Sequence, residues 1–400
     1  MQTLSERIMM LSESETLAMT RKSRELKARG YDVINLSIGE PDFNTPEFIK
    51  DAAHAAIDQN KTHYPPVPGV PELRDAVVRK LKRDNGLDYN ADQIIVSGGA
   101  KHSIANAMLC LVNKGDEVIV PAPYWVSYKE IIKLAEGVPV VVETSIDNDF
   151  KITPEQLESA ITPKSKVLIY SSPCNPTGSV YTKEELEALA RIIDKHKDIY
   201  VLSDEIYELI RFEGTHESIA QFDFIRDRVI IINGVSKGFA MTGWRVGYLA
   251  APPEIAKACD KLQGQVTSGT CSISQYASIA AMECDPATNE EVKKMVETFD
   301  ERRQLVYGLL EQIPGFRNNM PDGAFYFFPN VKEYFGKTFG DEVINNSSDL
   351  CMYLLNHAHV ALVPGDAFGN PNCIRISYAT SKKLLITAIA RISEALAELK

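Results

Sequence analysis

Positive charge is scarce in this chain. Its 400 residues hold 43 lysines and arginines against 54 aspartates and glutamates, a formal charge of −11 with a pI near 5.3. A nucleic-acid or anionic-membrane binder needs a basic face, so the balance argues against both partners, and any anionic ligand must be met by a local cluster of cations. Cysteine pairing is missing too. The seven cysteines (Cys110, Cys174, Cys259, Cys271, Cys284, Cys351, Cys373) are odd in number and include no C-x-x-C pair. That speaks against a disulfide frame or zinc site and for scattered reduced thiols, hence a cytoplasmic setting. Met1 to Glu15 carries acidic residues and no sustained apolar region, unlike a secretory signal. Leu262 to Met282, the longest uncharged stretch, is dense in Gly, Ser, Thr and Gln and makes a poor lipid-facing span. No internal repeat or low-complexity tail is found. No G-x-G-x-x-G follows the first strand-like run and no G-x-x-x-x-G-K-[ST] occurs, so dinucleotide and ATP sites lack their phosphate loops.

What is present is ordinary globular material, 44% hydrophobic and 24% charged, long enough for two to three domains at roughly 150 residues each. Between residues 93 and 250, apolar runs alternate with helical patterns: Ile94 to Val96, Glu117 to Val120, Val138 to Val142, Val167 to Tyr170, Tyr200 to Ser203, Val229 to Ile232 and Val246 to Leu249. Short, continuous and rich in Val and Ile, they are expected to be buried on both faces, as in a parallel sheet. Thr182-Lys183-Glu184-Glu185 reads as a capping box, with Leu186, Leu189, Ala190 and Ile193 on one helical face behind it. The fold class expected is α/β, a mostly parallel central sheet covered by helices. From about residue 290 the texture changes to amphipathic helices (Glu290 to Gln312, Ser381 to Leu399) and strand-like pieces (Ala324 to Phe328, Cys373 to Tyr378). This reads as a second, smaller α+β domain that the N-terminal segment joins. The division expected is 46–289 for a large cofactor-binding domain, with 1–45 and 290–400 forming the small one. His357-Ala358-His359 is expected to be a pair of ordinary strand histidines, since no acidic third metal ligand is evident nearby.

Ligands in such sheets lie beyond the carboxyl ends of the strands. The loops there carry Gly98-Gly99-Ala100-Lys101, Pro123-Tyr124-Trp125, Pro173-Cys174-Asn175-Pro176-Thr177-Gly178 and Asp204-Glu205-Ile206-Tyr207, and the stretch Asn233 to Tyr248 holds Lys237 and Arg245. A loop lysine flanked by glycine is a candidate covalent amine for an aldehyde cofactor. An arginine close behind suits phosphate through its planar fork. Gly39-Glu40-Pro41-Asp42-Phe43 is a turn where backbone can approach a ligand closely. Arg375 sits in an apolar strand, where an unpaired cation is costly, and so calls for a carboxylate from protein or substrate. Taken singly, Asp204 also reads as a loop-capping carboxylate, Trp125 as a buried aromatic and Lys101 as a solvated helix-start lysine.

Taken in order, GEPDF, YPPVPGVPELRD, SGGAK, PYWVSY, NPTG, SDEIY, SKGFAMTGWRVGY and IRISYAT make the chain resemble, from about Ile34 to Tyr378, the class I aminotransferases. These are fold-type I enzymes that use pyridoxal 5'-phosphate, and the likeness is strongest to the bacterial aspartate aminotransferase branch. The resemblance implies that Lys237 links to the cofactor and, once released, serves as the base and acid at the substrate α-carbon. It assigns Asp204 to the pyridinium nitrogen, Tyr207 and Asn175 to the phenolic oxygen, and Trp125 to the ring face. The phosphate goes to Gly99, Ala100, Ser236, Arg245 and, across a homodimer, Tyr64. Arg375 clamps the substrate α-carboxylate with Asn175 and the Gly39 backbone, while Lys101, aided by Thr16, takes the distal carboxylate. There are two departures. Gly234 replaces a phosphate-binding serine of one branch, and Gln263 to Gln275 contains no arginine or lysine for a partner-subunit clamp. The implied reaction is transfer of an amino group between aspartate and 2-oxoglutarate by a ping-pong cycle through pyridoxamine phosphate. Prephenate or aromatic transamination is the alternative on the same scaffold, and a pyridoxal phosphate lyase acting on β-substituted amino acids is a third reading. A sensor domain attached to a DNA-binding module is disfavoured by the acidic balance.

Overall fold

The computed structural model describes residues 4–13 and 15–400, the side chains of residues 15–17 excepted; the role expected of the Thr16 side chain therefore lies outside the described residues. The organising element is a seven-stranded sheet of β1 (Ile94–Ser97), β2 (Glu117–Ala122), β3 (Val138–Glu143), β4 (Ser165–Ser171), β5 (Tyr200–Asp204), β6 (Val229–Gly234) and β7 (Gly247–Ala250), in the spatial order β1-β7-β6-β5-β4-β2-β3. Pairing is parallel from β6 through β5, β4 and β2 to β3. β7 alone runs antiparallel to both its neighbours, β1 and β6.

Alternation sorts the strand residues into two cores. Ile94, Val96, Leu168, Val201 and Ile231 face one layer of helices, while Ile95, Val167, Ile169, Leu202, Ile230 and Ile232 face the other. Helices on both faces are what let these runs be continuously apolar. β3 departs from the expectation of two buried faces: at this edge the covering helices Ser127–Leu134 and Pro154–Ala160 are short and leave its residues exposed or half-buried throughout, whereas β1 at the opposite edge lies under the longer Pro71–Asn85 and Pro253–Val266 and is buried. Helix α1 (Ala100–Leu111) follows β1, and α2 (Lys183–Lys195) precedes β5. The α2 capping box forms as expected, with Thr182 N donating to Glu185 Oε2 (2.8 Å) and Glu185 N to Thr182 Oγ1 (3.3 Å). Such a cap stabilises a helix by about 1 kcal/mol. The uncharged stretch 262–282 divides between helices Pro253–Val266 and Ser272–Glu283. Among the described residues no helix is long and apolar enough to cross a membrane.

A separate core gathers Met19, Val33 and Leu36 with Phe299, Phe325, Tyr378, Leu385 and Ile392. Long helices α3 (Glu290–Leu310) and α4 (Lys382–Ala397) pack there over a small antiparallel sheet of β8 (Tyr326–Phe327), β9 (Val363–Pro364) and β10 (Ile374–Ser377), ordered β9-β10-β8. Ile34–Asn35 pairs in parallel with Val360–Ala361, which stitches the N-terminal segment to the C-terminal part. The two histidines are not strand residues. His357 lies in a π-helical turn, Leu354–Ala358, and His359 closes it in left-handed conformation (φ 55°). The buried set Leu350, Cys351, Leu354 and Leu355 has helical spacing, and it carries the preceding helix past the point where the strand was expected.

Candidate active site

Strands β4, β5 and β6 end at the same edge of the sheet, and β7, being reversed, begins there. That single inversion brings Arg245, which precedes β7, to the edge where Asp204 leaves β5 and Lys237 follows β6. At this edge opens a cavity of about 350 Å³. Its lining includes Gly39, Ala100, Lys101, Trp125, Asn175, Asp204, Tyr207, Ser236, Lys237, Arg245 and Arg375. Of the expected site residues, Gly99 and Tyr64 do not line it.

At one end sits the start of α1. Gly99 (φ 95°) turns the chain into the helix; its own amide donates to Ser97 O (2.7 Å) and that of His102 to Gly99 O (2.9 Å), so the donors left at the positive end of the dipole are the amides of Ala100 and Lys101. The Arg245 guanidinium donates to Gly98 O (3.1 Å) and Thr242 O (2.9 Å) and lies so close to Gly99 that any side chain at 99 would run into it. The Ser236 hydroxyl opens onto the same space. Helix amides, a hydroxyl and a guanidinium together form a phosphate-type cradle. The glycine at 234 has a steric cause: a Cβ there would stand 2.8 Å from Gly247 Cα and 2.8 Å from Val246 O, so a serine has no room.

In the middle, the buried Asp204 carboxylate accepts from Tyr128 Oη (2.6 Å) and Ile206 N (3.3 Å). Burial lifts it to about 6, against the pull of those hydrogen bonds. Tyr128 carries no expected role. Its only signal is its place three residues after Trp125 in PYWVSY, where a helical turn folds it beneath the tryptophan with rings edge to face at 5.5 Å. Lys237 donates to Gly39 O at 2.6 Å. Burial pulls its ammonium down to about 8, opposed by Glu40 and assisted by Arg375 and Arg245. Below that pH the amine is protonated and unreactive; above it the lone pair is free. Capture of an aldehyde such as pyridoxal phosphate by the ligand-free protein should therefore accelerate with pH around a midpoint near 8 rather than the ordinary 10.5, and stopped-flow absorbance checks this.

At the other end Arg375 is 2% exposed. It donates to Asn175 Oδ1 (3.0 Å) and Ser37 O (2.6 Å), and it lies 4.6 Å from the Tyr326 ring and 5.1 Å from the Phe368 ring. Its Nε has no partner, and no carboxylate stands against it among the described residues. Because Asn175 Oδ1 accepts from Arg375, the amide's NH2 remains as a donor. The Tyr207 hydroxyl is 2.7 Å from that of Tyr326, another lining residue without an expected role. Lys101, in the first turn of α1, holds its ammonium 4.9 Å from the Trp125 ring centroid, with its pKa lowered by burial and by Arg245. Tyr64 is 97% exposed and stands apart from this cavity on the surface. Gln263, in the segment without cations, is a buried bracket: it accepts from Ser97 and Asn106 and donates to the carbonyls of Val67 and Val96.

The sequence model of the family described as aminotransferase class I and II matches residues 31–392. A protein of Petunia hybrida named bifunctional aspartate aminotransferase and glutamate/aspartate-prephenate aminotransferase is 49% identical, over 99% of this chain and 83% of its own length. The crystal structure of the aspartate aminotransferase from Rhizobium meliloti superposes with a TM-score of 0.96 at 41% identity, covering all of both chains. That of the aspartate aminotransferase from Thermus thermophilus with maleate gives 0.93 at 40% identity, over 99% of this chain and all of that one.

Proposed function

This chain belongs to the aminotransferase class I and II family, and from that premise we propose that it moves an amino group between aspartate and 2-oxoglutarate, giving oxaloacetate and glutamate, in a ping-pong cycle with pyridoxal 5'-phosphate. The observation that carries the reading is a cavity with two separate cations for a dicarboxylate, Arg375 buried without a carboxylate of its own and Lys101 beside Trp125. The donor set suits the cofactor. The α1 amide of Ala100, Ser236 and Arg245 would hold its phosphate, the Gly99 amide being taken by Ser97 O (2.7 Å), while Asp204 would hold its protonated ring nitrogen, Tyr207 and Asn175 its phenolic oxygen, Trp125 its ring face and Lys237 its aldehyde carbon. Bound there, pyridoxal phosphate supplies an electron-withdrawing ring that accepts the charge left when the substrate's α-proton departs.

The chain's own residues do the rest. Lys237 Nζ takes the α-proton and returns it, a task suited to an amine titrating near neutrality. Asp204, fixed by Tyr128, keeps a proton on the ring nitrogen by placing a buried negative charge against it. Arg375 and Asn175 orient the α-carboxylate so that the α-proton faces the amine. The exposed Tyr64 aromatic and the exposed Arg245 support completion of the phosphate site by a second copy, whose Tyr64 would reach this phosphate in a homodimer. The cores flanking the large sheet and the separate core of the chain's two ends support a division into residues 46–289 and 1–45 with 290–400, Tyr207 and Ile210 reaching across it, and the free cysteines fit a cytoplasmic setting.

Prephenate, a second dicarboxylic partner, is favoured as an additional acceptor by the name of the Petunia relative. Comparing turnover with aspartate, prephenate and phenylalanine tests both readings, and negligible aspartate activity would sink the first. Ammonia and pyruvate released from a β-substituted amino acid without any oxo acid would point to a lyase instead. Lys101→Gln should lower kcat/KM for aspartate by about 10- to 100-fold, the worth of one charge-assisted contact, while leaving phenylalanine within about threefold. Equal losses for both substrates would remove Lys101 from the distal carboxylate.

A further inference from the structure

Successive residues at the carboxyl end of β5 leave the sheet on opposite sides. Asp204 enters the cavity; Glu205 turns to the far side and is buried there. Its Oε1 accepts from Ser203 Oγ (2.8 Å) and Ser218 Oγ (2.6 Å), and its Oε2 lies 3.0 Å from His216 Nε2. Its amide donates to Ile232 O of β6 (2.8 Å), and its carbonyl accepts from Glu208 N (2.9 Å). One carboxylate therefore ties the 204–208 turn to the loop that carries His216 and Ser218. That same turn delivers both Asp204 and Tyr207 to the cavity.

Glu208, a turn further on, is held by donors of its own: Lys80 pairs with it, Lys80 Nζ also reaches Asn85 Oδ1 (2.8 Å), and Asn85 Nδ2 donates back to Glu208 Oε2 (3.1 Å). Glu205, Glu208 and His216 are near enough together to hold a metal ion. The Lys80 ammonium already sits against Glu208, however, and two hydroxyls point at Glu205, so the chain itself supplies what a cation would. The use left for Glu205 is geometric. None of the roles assigned to the cavity involves it, yet it anchors from behind the segment on which two of those roles depend. Displacements of about 1 Å in such a segment are enough to matter to a reaction.

We propose that Glu205, with His216 and Ser218 as its partners, is a positioning residue that fixes the Asp204–Tyr207 turn against the cofactor ring. This rests on the pyridoxal phosphate reading above. The test is refilling of the apoprotein with pyridoxal phosphate, with Kd followed by fluorescence and absorption, in the wild type, Glu205→Gln and Glu205→Met. Glutamine keeps a carbonyl oxygen for the two hydroxyls, and its amide can face His216 Nε2 if that ring carries its proton on Nδ1, an atom with no partner now. Methionine fills the space and accepts nothing.

Glu205→Gln should bind the cofactor within about threefold of wild type. Glu205→Met should weaken it at least about tenfold and lower kcat by a similar factor, with KM for the amino donor within about threefold because Arg375 and Lys101 are untouched. A Glu205→Met protein with wild-type Kd overturns the role, and so do equal losses in both variants, since charge and not the clamp would then be responsible. If Glu205→Met does not fold, His216→Phe on the outer loop carries the test: a Kd raised about threefold or more supports the clamp, and an unchanged one overturns it. Wild-type protein that takes up no pyridoxal phosphate removes the cofactor reading itself, whereas a wild type that binds and an indifferent Glu205→Met remove only the positioning role.

Discussion

Arg375→Met lowers kcat/KM for aspartate by about 10²- to 10³-fold while leaving the thermal midpoint of the ligand-free protein within about 3 °C of wild type. The two expectations come from one fact. Arg375 is buried with carbonyl acceptors and aromatic faces around it, and no acid pairs with it among the described residues. Taking an arginine out of water costs several kcal/mol, and without a countercharge that cost is only partly offset. A substrate carboxylate restores the missing charge and makes the pair a charge-assisted one, whose loss is about 2–5 kcal/mol of transition-state stabilisation. Methionine removes the desolvation cost but leaves Ser37 O and Asn175 Oδ1 without their donor, at about 1–3 kcal/mol each, so stability stays nearly level. Maleate should raise the midpoint of the wild type and not that of the variant. Scanning calorimetry with and without maleate, beside steady-state kinetics, checks both. A midpoint lowered by more than about 10 °C would make Arg375 a structural residue and undo the assignment.

Lys237→Ala should abolish the half-reaction, lowering turnover by at least about 10⁴-fold, because in the proposed cycle the same amine supplies the covalent anchor and the proton carrier. Pyridoxal phosphate should still bind through Arg245, Ser236 and the α1 amides, with weaker affinity and an absorption spectrum insensitive to pH; retained normal turnover would show the lysine assignment to be wrong. The variant also changes how stability depends on pH. In the folded ligand-free protein Lys237 gives up its proton near 8, and in the unfolded chain near 10.5. Between those values the unfolded state binds more protons, so stability rises with pH across the window, and the contribution is most unfavourable below 8. Lys237→Ala removes that rise, which denaturant titrations at pH 7.5 and at pH 10 would register as a smaller difference between the two pH values.

The residues that meet in the cavity were largely legible because they sit at strand ends, and strand ends announce themselves as apolar runs stopping at polar or glycine-rich loops. Lys237, Asp204 and Asn175 follow that rule directly. Arg245 does not: it precedes a strand, and only the reversal of β7 brings it to the same edge. Direction is invisible in a run such as Val246 to Leu249, since burial on both faces erases the pattern that would reveal it. Tyr128 and Tyr326 went unassigned because a buried tyrosine differs from any core aromatic only in where its hydroxyl points. The edge position of β3 and the helical course of residues 354–358 escaped for a related reason, as strand order and the competition between helical and extended spacing are decided by neighbours distant in sequence. Tyr64 lies on the surface away from the cavity; only the proposed homodimer, and no pattern within one copy, would bring it to a phosphate.

The reversed β7 has one more effect, on tolerance to change in length. The loop from Val235 to Val246 is closed at its base by sheet partners Gly234 with Gly247 and Asn233 with Tyr248, and the two glycines lie so near each other that no side chain fits between them. Lys237 stands three residues beyond one side of that base and Arg245 two residues before the other. The base acts as the zero of a ruler from which the positions of amine and guanidinium are counted, and the buried Phe239 and Met241 pin the far end of the loop into the core. A residue added between Gly234 and Lys237 moves the amine off its mark and leaves the guanidinium where it was, whereas one added near Met241 must first find room in a packed core.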